Sequence, residues 1–245
     1  MSSEIEVSER ELKRMSRRGF VAMAAAAAAG YGGWKWLRTR DRIGDLPSPF
    51  RRMLEANESL AEAYFSRARL SPLFRRSDIT RLRVNGRLGL KSDVDANAWR
   101  LNIAGAAMPV ALTLNDVMSL PRHELITELR CIEGWSAIVQ WTGARLADVI
   151  AKYPPVAAAH YIAMETPDRG YYVGLDMESA LHPQTLLAYA MNGQPLTREH
   201  GAPLRLAIPV KYGIKNIKRI GTIRYATERP GDFWGERGYD WYAGH

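Results

Sequence analysis

A single cysteine, Cys131, stands in a chain of 245 residues. No disulfide can close within such a chain, so a stable fold has to rest on an apolar core alone. Composition supplies that core: 47% of the residues are hydrophobic and 24% are charged, the balance of an ordinary globular protein. The length exceeds one usual domain and falls short of two once a leader is set aside. One compact domain of about two hundred residues is expected from the usual domain-size range.

The formal net charge is +8, and its placement decides what it means. Residues 1–40 hold Arg10, Lys13, Arg14, Arg17, Arg18, Lys35, Arg38 and Arg40 against Glu4, Glu6, Glu9 and Glu11, a local +4 that leaves +4 for the remaining 205 residues. No basic run is interleaved with aromatics, so no nucleic-acid partner is expected. The modest excess suits an anionic cofactor or substrate.

The stretch MSRRGFVAMAAAAAAG (15–30) sets Arg17 and Arg18 before Phe20-Val21 and six alanines, Ala24 to Ala29. It resembles a twin-arginine export signal, a pattern that implies passage through the Tat machinery, a periplasmic destination, and cargo that folds before export. An Ala-rich helix with a basic start is the plain alternative. Cleavage is open, because Gly19–Leu37 spans nineteen mostly apolar residues, just enough to cross a bilayer as an inner-membrane anchor. Trp34 and Trp36, beside Lys35, Arg38 and Arg40, would suit the far interface.

Beyond residue 40 the patterns change. Residues 41–79 read as a helical lead-in: Ser48 as a cap, Pro49 at the first helical position, and an apolar stripe of Phe50, Leu54, Leu60 and Tyr64. From 80 to 245 a single α+β domain is expected, with mixed sheets and short helices. Arg81–Val84 and Trp99–Ile103 look like short strands, the first followed by Asn85-Gly86, a dipeptide that favours hairpin turns. TLNDVMSLP (113–121) suggests a short capped helix, LITELRCI (125–132) a strand, and GARLADVIAKY (143–153) a helix. HYIAMET and YYVGL read as strands, ESALHPQTLLAYAMNG contains a helix, and APLRLAIPV and IKRIGTIRYAT are strand-like. No dinucleotide-binding fingerprint or P-loop is present.

Cys131 follows Arg130 and precedes Glu133-Gly134-Trp135-Ser136 at what reads as the end of a strand. A lone cysteine is commonly a small buried hydrophobe. A loop at a strand end is also where a scaffold presents functional groups, and the cation at Arg130 would favour the metal-binding thiolate. A nucleophilic cysteine would need a base from His123, His160, His182 or His200, and scattered histidines give no zinc spacing.

LRCIEGWSAIVQWTGARLADVI (129–150) closely resembles the metal-site segment of the sulfite oxidase family, and HPQTLLAYAMNGQPLTREHGAPLRLAIPVKYGIKNIKRI (182–220) resembles a second segment of the same family, in order. The likeness covers roughly 80–230. It implies a sulfite oxidase-type molybdopterin-binding fold, a molybdenum–molybdopterin cofactor, and Cys131 as the protein's thiolate ligand to the metal. By the same likeness His200 and Arg205 bind pterin and phosphate, Arg205 through its planar fork. Asn216 and Lys218, with the backbone of Ile217, form the turn that grips the phosphate end. Thr166 is another pterin contact, Arg83 and Asn85 lie over the cofactor, Tyr171 stands near the metal oxygen, and Arg169 faces the same pocket.

Two departures bear on substrate. Relatives that oxidise sulfite carry arginines shortly after the metal cysteine, where this chain has Gly134, Trp135, Ser136 and Ala137. E-G-W-S is closer to the exported branch that reduces protein methionine sulfoxide, although that branch has Asn at the place of His200. The chain also ends soon after the second segment, leaving no room for a fused haem domain, so a separate electron-transfer partner, a haem protein in or near the membrane, is implied. The resemblance therefore implies an oxygen-atom-transfer oxidoreductase acting on an S-oxide, free or in an oxidised protein, or on sulfite. The alternatives are a non-catalytic pterin-binding module and a cysteine hydrolase.

Overall fold

The computed structural model describes residues 9–43 and 46–245; positions 1–8, the start of the leader, and 44–45, within the lead-in, lie outside the described residues. The chain divides into two compact units, Met1–Met53 and Leu54–His245. The lead-in expected over 41–79 is thus shared between them.

In the first unit, helix α1 (Glu9–Arg38) runs through the twin arginines and the alanines, as the high helix propensity of alanine dictates. The guanidinium of Arg38 lies 4.9 Å from the Trp34 ring and that of Arg40 lies 4.7 Å from Trp36, contacts typical of cation and aromatic face. Among the described residues no helix is long and apolar enough to cross a membrane. The span expected over Gly19–Leu37 is therefore not supported: its length suffices, but alanine and glycine carry too little apolar surface. Strands β1 (Arg42–Ile43) and β2 (Leu46–Pro47) pair antiparallel.

Helix α2 (Ser48–Tyr64) forms with Pro49 in its first turn. Its expected stripe does not make the contact, since Phe50, Leu60 and Tyr64 are largely exposed. The buried residue is Glu58, ion-paired with Arg229. Just past the helix, the Phe65 ring packs 5.8 Å from His182 and 6.3 Å from Tyr242.

The rest of the second unit carries two sheets. Its elements run β3 (Leu101–Ala104), β4 (Val110–Leu112), α3 (Leu114–Met118), β5 (Arg122–Arg130), β6 (Ser136–Arg145), α4 (Leu146–Lys152), β7 (Tyr161–Glu165), β8 (Tyr172–Asp176), α5 (Met177–Ala180), β9 (Leu186–Met191), β10 (Gln194–Pro195), β11 (Arg205–Ala207) and β12 (Thr222–Ala226). One sheet has the order β10-β9-β6-β5 with β11 also on β9; the other has the order β4-β3-β12-β7-β8. Only the β3–β12 pairing is parallel, which makes the architecture the mixed α+β class expected.

Strand alternation divides the core. In β9, Leu187 enters the main cluster with Ile162, Met164, Leu206 and Ile223, while Leu186 and Ala188 face a smaller cluster with Leu129, Val139 and Trp141. Three sequence expectations change. GAR at 143–145 belongs to β6, because Gly143 lies so tightly against Leu187 and Ala188 that any Cβ would collide with their backbone. LLAYAM at 186–191 is strand, the preceding helix being confined to Met177–Ala180. Residues 81–84 form no strand and Asn85-Gly86 no hairpin turn, because neighbouring groups from other elements take up this segment.

Candidate active site

Cys131 opens the turn between β5 and β6. Its backbone N–H donates to Trp135 O at 2.9 Å, Gly134 N–H donates back to Cys131 O at 3.1 Å, and Gly134 has φ +86°, a conformation that glycine adopts without strain. Gly213 packs against this turn, its Cβ direction only 3.3 Å from Arg130 O and 3.6 Å from Cys131 Cα. The turn is thereby clamped to residues 212–216.

The Cys131 side chain faces a cavity of about 240 Å³ whose walls include Arg83, Asn85, Tyr171, His200, Arg205, Asn216 and Lys218. Eight residues expected to serve the site, Cys131 among them, thus converge from places far apart in the sequence. Asn85 Nδ2 donates towards Cys131 Sγ at 3.7 Å. Lys218 Nζ fixes that segment by donating to Asn85 O at 2.6 Å and Gly86 O at 3.1 Å, and it also reaches Glu199 O at 3.3 Å.

One part of the cavity is a nest of cations without acids. The buried Arg205 donates to His200 O at 3.1 Å, Asn216 O at 3.2 Å and Leu206 O at 3.4 Å, with its guanidinium 4.7 Å from the Trp141 ring. Among the described residues no carboxylate lies within ion-pairing distance of Arg205 or Lys218. Burial pushes Arg205 down to about 10. Burial, then the charge of Arg205, takes Lys218 to about 8. His200 is held below its ordinary value by burial first and then by both cations. Buried charge without a counter-charge is costly, so this end of the cavity suits a bound anion such as a phosphate ester.

The Cys131 thiol is pushed up by burial, with a weaker opposing hydrogen bond from the Glu133 backbone. The expected help from Arg130 is missing: its side chain donates to Glu128 at 2.8 Å and meets His245 Nδ1 at 3.3 Å. A metal would have to displace the proton itself, the usual coupling for thiolate ligands. No group of three or more His, Cys, Asp or Glu is arranged to hold a metal among the described residues. A metal here would arrive with its other donors, as a metal chelated by an organic dithiolene does, and one soft sulfur beside an anion nest fits such a group.

Three expected residues do not line the cavity. Thr166 is a staple: its hydroxyl donates to Asp168 Oδ1 at 2.7 Å and accepts from Tyr171 N at 3.1 Å, closing the turn that presents Tyr171. Arg169 is exposed on that turn at φ +53°. Ile217 is fully buried in the main core, and its backbone already bonds Lys215 O and Leu206 N. Asn216 borders the cavity, yet its side chain is spent on the Ile208 and Tyr212 backbone. The Tyr171 hydroxyl donates to Ile214 O, and burial raises its pKa so that the proton stays on.

The sequence reading missed Glu133, Trp135, Trp234 and Tyr239, which also border the cavity. Trp135 Nε1 donates to Glu133 Oε2 at 3.0 Å. For the first two, the signal was their place next to Cys131; for the last two, nothing local marked them. His123 pairs with Asp148 at 3.3 Å and His182 meets Arg69 O at 3.0 Å, so neither serves Cys131. His160 borders a different pocket.

The oxidoreductase molybdopterin-binding domain matches residues 88–234. The chain belongs to this family. It is 35% identical over 184 residues to the putative protein-methionine-sulfoxide reductase subunit YedZ1 of Azospira oryzae, covering 74% of this chain and 70% of that protein. It is 37% identical over 152 residues to the protein-methionine-sulfoxide reductase catalytic subunit MsrP of Xanthomonas campestris pv. campestris, covering 56% of this chain and 47% of that one. The chain spans about half the length of the MsrP relatives it matches. Among solved structures, the sulfane dehydrogenase SoxCD from Paracoccus pantotrophus shares the fold, with a TM-score of 0.53 at 20% identity over 56% of this chain and 40% of that one. The family reading makes this chain an oxidoreductase with a molybdopterin cofactor, and a cysteine hydrolase is set aside. The part of the cavity wall from Leu82 to Gly86 and Tyr239 lie outside the matched stretch.

Proposed function

We propose that this chain is the catalytic unit of a periplasmic, Tat-exported molybdenum enzyme that reduces an S-oxide, with methionine sulfoxide in a polypeptide as substrate class. The balance is one S-oxide, two electrons and two protons in, one thioether and one water out. When bound, the cofactor supplies the two-electron redox change that oxygen-atom transfer requires. The protein's part is to bind and orient: Cys131 offers the sulfur ligand, Asn85 bonds that sulfur, and Arg205, Lys218 and His200 receive the anionic end of the pterin.

The observation that carries S-oxide over sulfite is the charge around Cys131. The turn that carries Cys131 brings Glu133 and Trp135 to the cavity and no cation, so it offers no grip of its own for a doubly charged oxyanion. The wall there is Leu82, Leu88, Trp135, Trp234 and Tyr239, apolar surface suited to the carbon flanks of a neutral sulfoxide. The names of the YedZ1 and MsrP relatives agree with this reading, as does the word subunit in them, which supports a separate electron-transfer partner, a haem protein at the membrane. A non-catalytic pterin-binding module would have no use for a sulfur facing the cavity.

The test is turnover of purified, molybdenum-loaded protein with reduced viologen dye. Oxidation of the dye by peptides carrying methionine sulfoxide, with no reduction of oxidised dye by sulfite, is expected. Sulfite-driven dye reduction with inert sulfoxides would overturn the proposal.

A further inference from the structure

The segment from Arg81 to Lys91 crosses the cavity as a strap without regular secondary structure. It is tied down along its length. Thr80 N–H donates to Ile138 O at 3.0 Å, and Ile138 N–H to Thr80 Oγ1 at 3.0 Å. Lys218 holds the middle, and Lys91 N–H donates to Asp168 Oδ2 at 2.9 Å. Leu82, Arg83, Asn85, Gly86 and Leu88 border the cavity.

The strap also carries Arg81, Arg83, Arg87 and Lys91, all exposed. Among the described residues none has a carboxylate within ion-pairing distance. Exposed cations elsewhere are divided: Arg67–Glu178 at 2.9 Å, Arg130–Glu128 at 2.8 Å and Arg198–Asp93 at 2.6 Å are paired, while Arg100, Lys152 and Arg224 stand singly among the described residues. The strap differs in gathering four unpaired cations within one short stretch that holds no acid. Val84 and Leu88 supply the exposed apolar surface of the strap, which has no aromatic side chain. Membrane-surface segments combine their cations with Trp, Phe or Leu anchors along a helix, whereas a short, fixed, basic strap matches the rim of a protein interface.

We infer that the outer face of this strap is the docking surface for an acidic face of the redox protein that delivers the electrons. The inference rests on the reductase reading above. A partner seated there would rest on the strap whose Asn85 donates towards the Cys131 sulfur at 3.7 Å, and steering by unlike charges would speed its arrival.

The probe is photoreduced flavodoxin, an acidic redox protein, mixed anaerobically with molybdenum-loaded enzyme. The double variant R81E/R87E, which leaves Arg83 in place, is expected to slow the second-order reduction of the enzyme by about tenfold or more at low salt, and the gap should close as salt screens the charges. Turnover with the small dye should stay at the level of the unaltered protein. R81Q/R87Q guards against a folding defect and should give a smaller slowing, while Arg122→Glu, remote in sequence and paired with Glu124, should give none. A flavodoxin rate indifferent to salt and to charge reversal overturns the inference. So does binding to anionic phosphatidylserine vesicles that R81E/R87E abolishes while flavodoxin rates stay unchanged. Loss of dye-driven sulfoxide turnover in the unaltered protein would instead strike the reductase reading, and a salt-dependent flavodoxin titration would still report on docking.

Discussion

Two pairs of cations in the second unit are treated in opposite ways. Lys215 donates to Gly174 O at 2.8 Å and to Asp232 Oδ2 at 2.5 Å, with the Trp241 ring 4.4 Å away. Lys211 stands 3.6 Å from Asp176 Oδ2, too far for a hydrogen bond, and 2.7 Å from the centre of the Tyr242 ring. Both charges are answered within the protein. At the cavity, Arg205 and Lys218 find backbone carbonyls and no carboxylate. A cation held only by carbonyls can also be structural, as Arg219 is on Ala202 O and Ser92 O away from the cavity; what sets Arg205 and Lys218 apart is that they border the cavity, where a ligand can bring the anion.

The largest expected effect lies where the two groups do not compete. Cys131→Ser should lower dye-driven turnover by more than about 100-fold, beyond the usual loss for residues that merely support a metal ligand, while pterin fluorescence shows the anion nest still filled. Retained turnover would end the metal-ligand assignment.

Breaking one pair in each group sharpens the contrast. Asp232→Asn strands Lys215 in the core and should cost about 3–5 kcal/mol of stability, the usual loss for half of a buried ion pair, read as a fall in denaturant midpoint with or without cofactor. Arg205→Gln should cost the cofactor-free protein only about 1 kcal/mol, a hydrogen-bond loss, yet weaken pterin retention by about 2–5 kcal/mol, as truncating a buried charge contact does. Equal behaviour of the two variants would erase the distinction.

Proton linkage gives a milder test. Lys218 falls from an ordinary 10.5 to about 8 in the folded protein, through burial first and Arg205 second. Between these values the unfolded chain binds more protons than the folded one, so Lys218 makes cofactor-free stability rise from about pH 8 towards 10.5. A bound anion should remove that slope, and pterin affinity should weaken as pH climbs past 8. Lys211, lowered to about 7 by burial against the opposing pull of Asp176, adds a rise of the same sign that starts lower and persists with cofactor bound. Urea titrations of both forms across pH 6.5 to 10 would show whether only one slope vanishes.

The smallest effect belongs to a cation in neither group. Arg169→Gly should raise stability by up to about 1 kcal/mol by relieving a left-handed backbone, and leave turnover within about twofold. A larger kinetic loss would return Arg169 to the site.

How much of this was legible in the chain follows from the range of each interaction. The Thr113 cap is local, the hydroxyl accepting from Asp116 N at 3.1 Å, and the helix after it was readable. The alternation of β5 was local too. Arg81–Val84 carried the same kind of local signal and formed no strand; the Asn85-Gly86 dipeptide that would have turned it into a hairpin is held instead by Lys218, more than 130 positions later, which binds both of its carbonyls. Thr166 and Arg169 fell in the right turn but on its structural side, a matter of which atoms Tyr171 and Asp168 leave over.

By itself the sequence determined that no disulfide would help, that the fold would be mixed α and β, that the family was one using molybdopterin, and that Cys131 was the sulfur to watch. These rest on residue identity and near-neighbour spacing. Only the tertiary structure decided which cations would lack an acid, that Ile217 would be core, and that a basic strap would wall the cavity. Charge compensation and burial are settled between residues distant in the chain, and no local pattern records them.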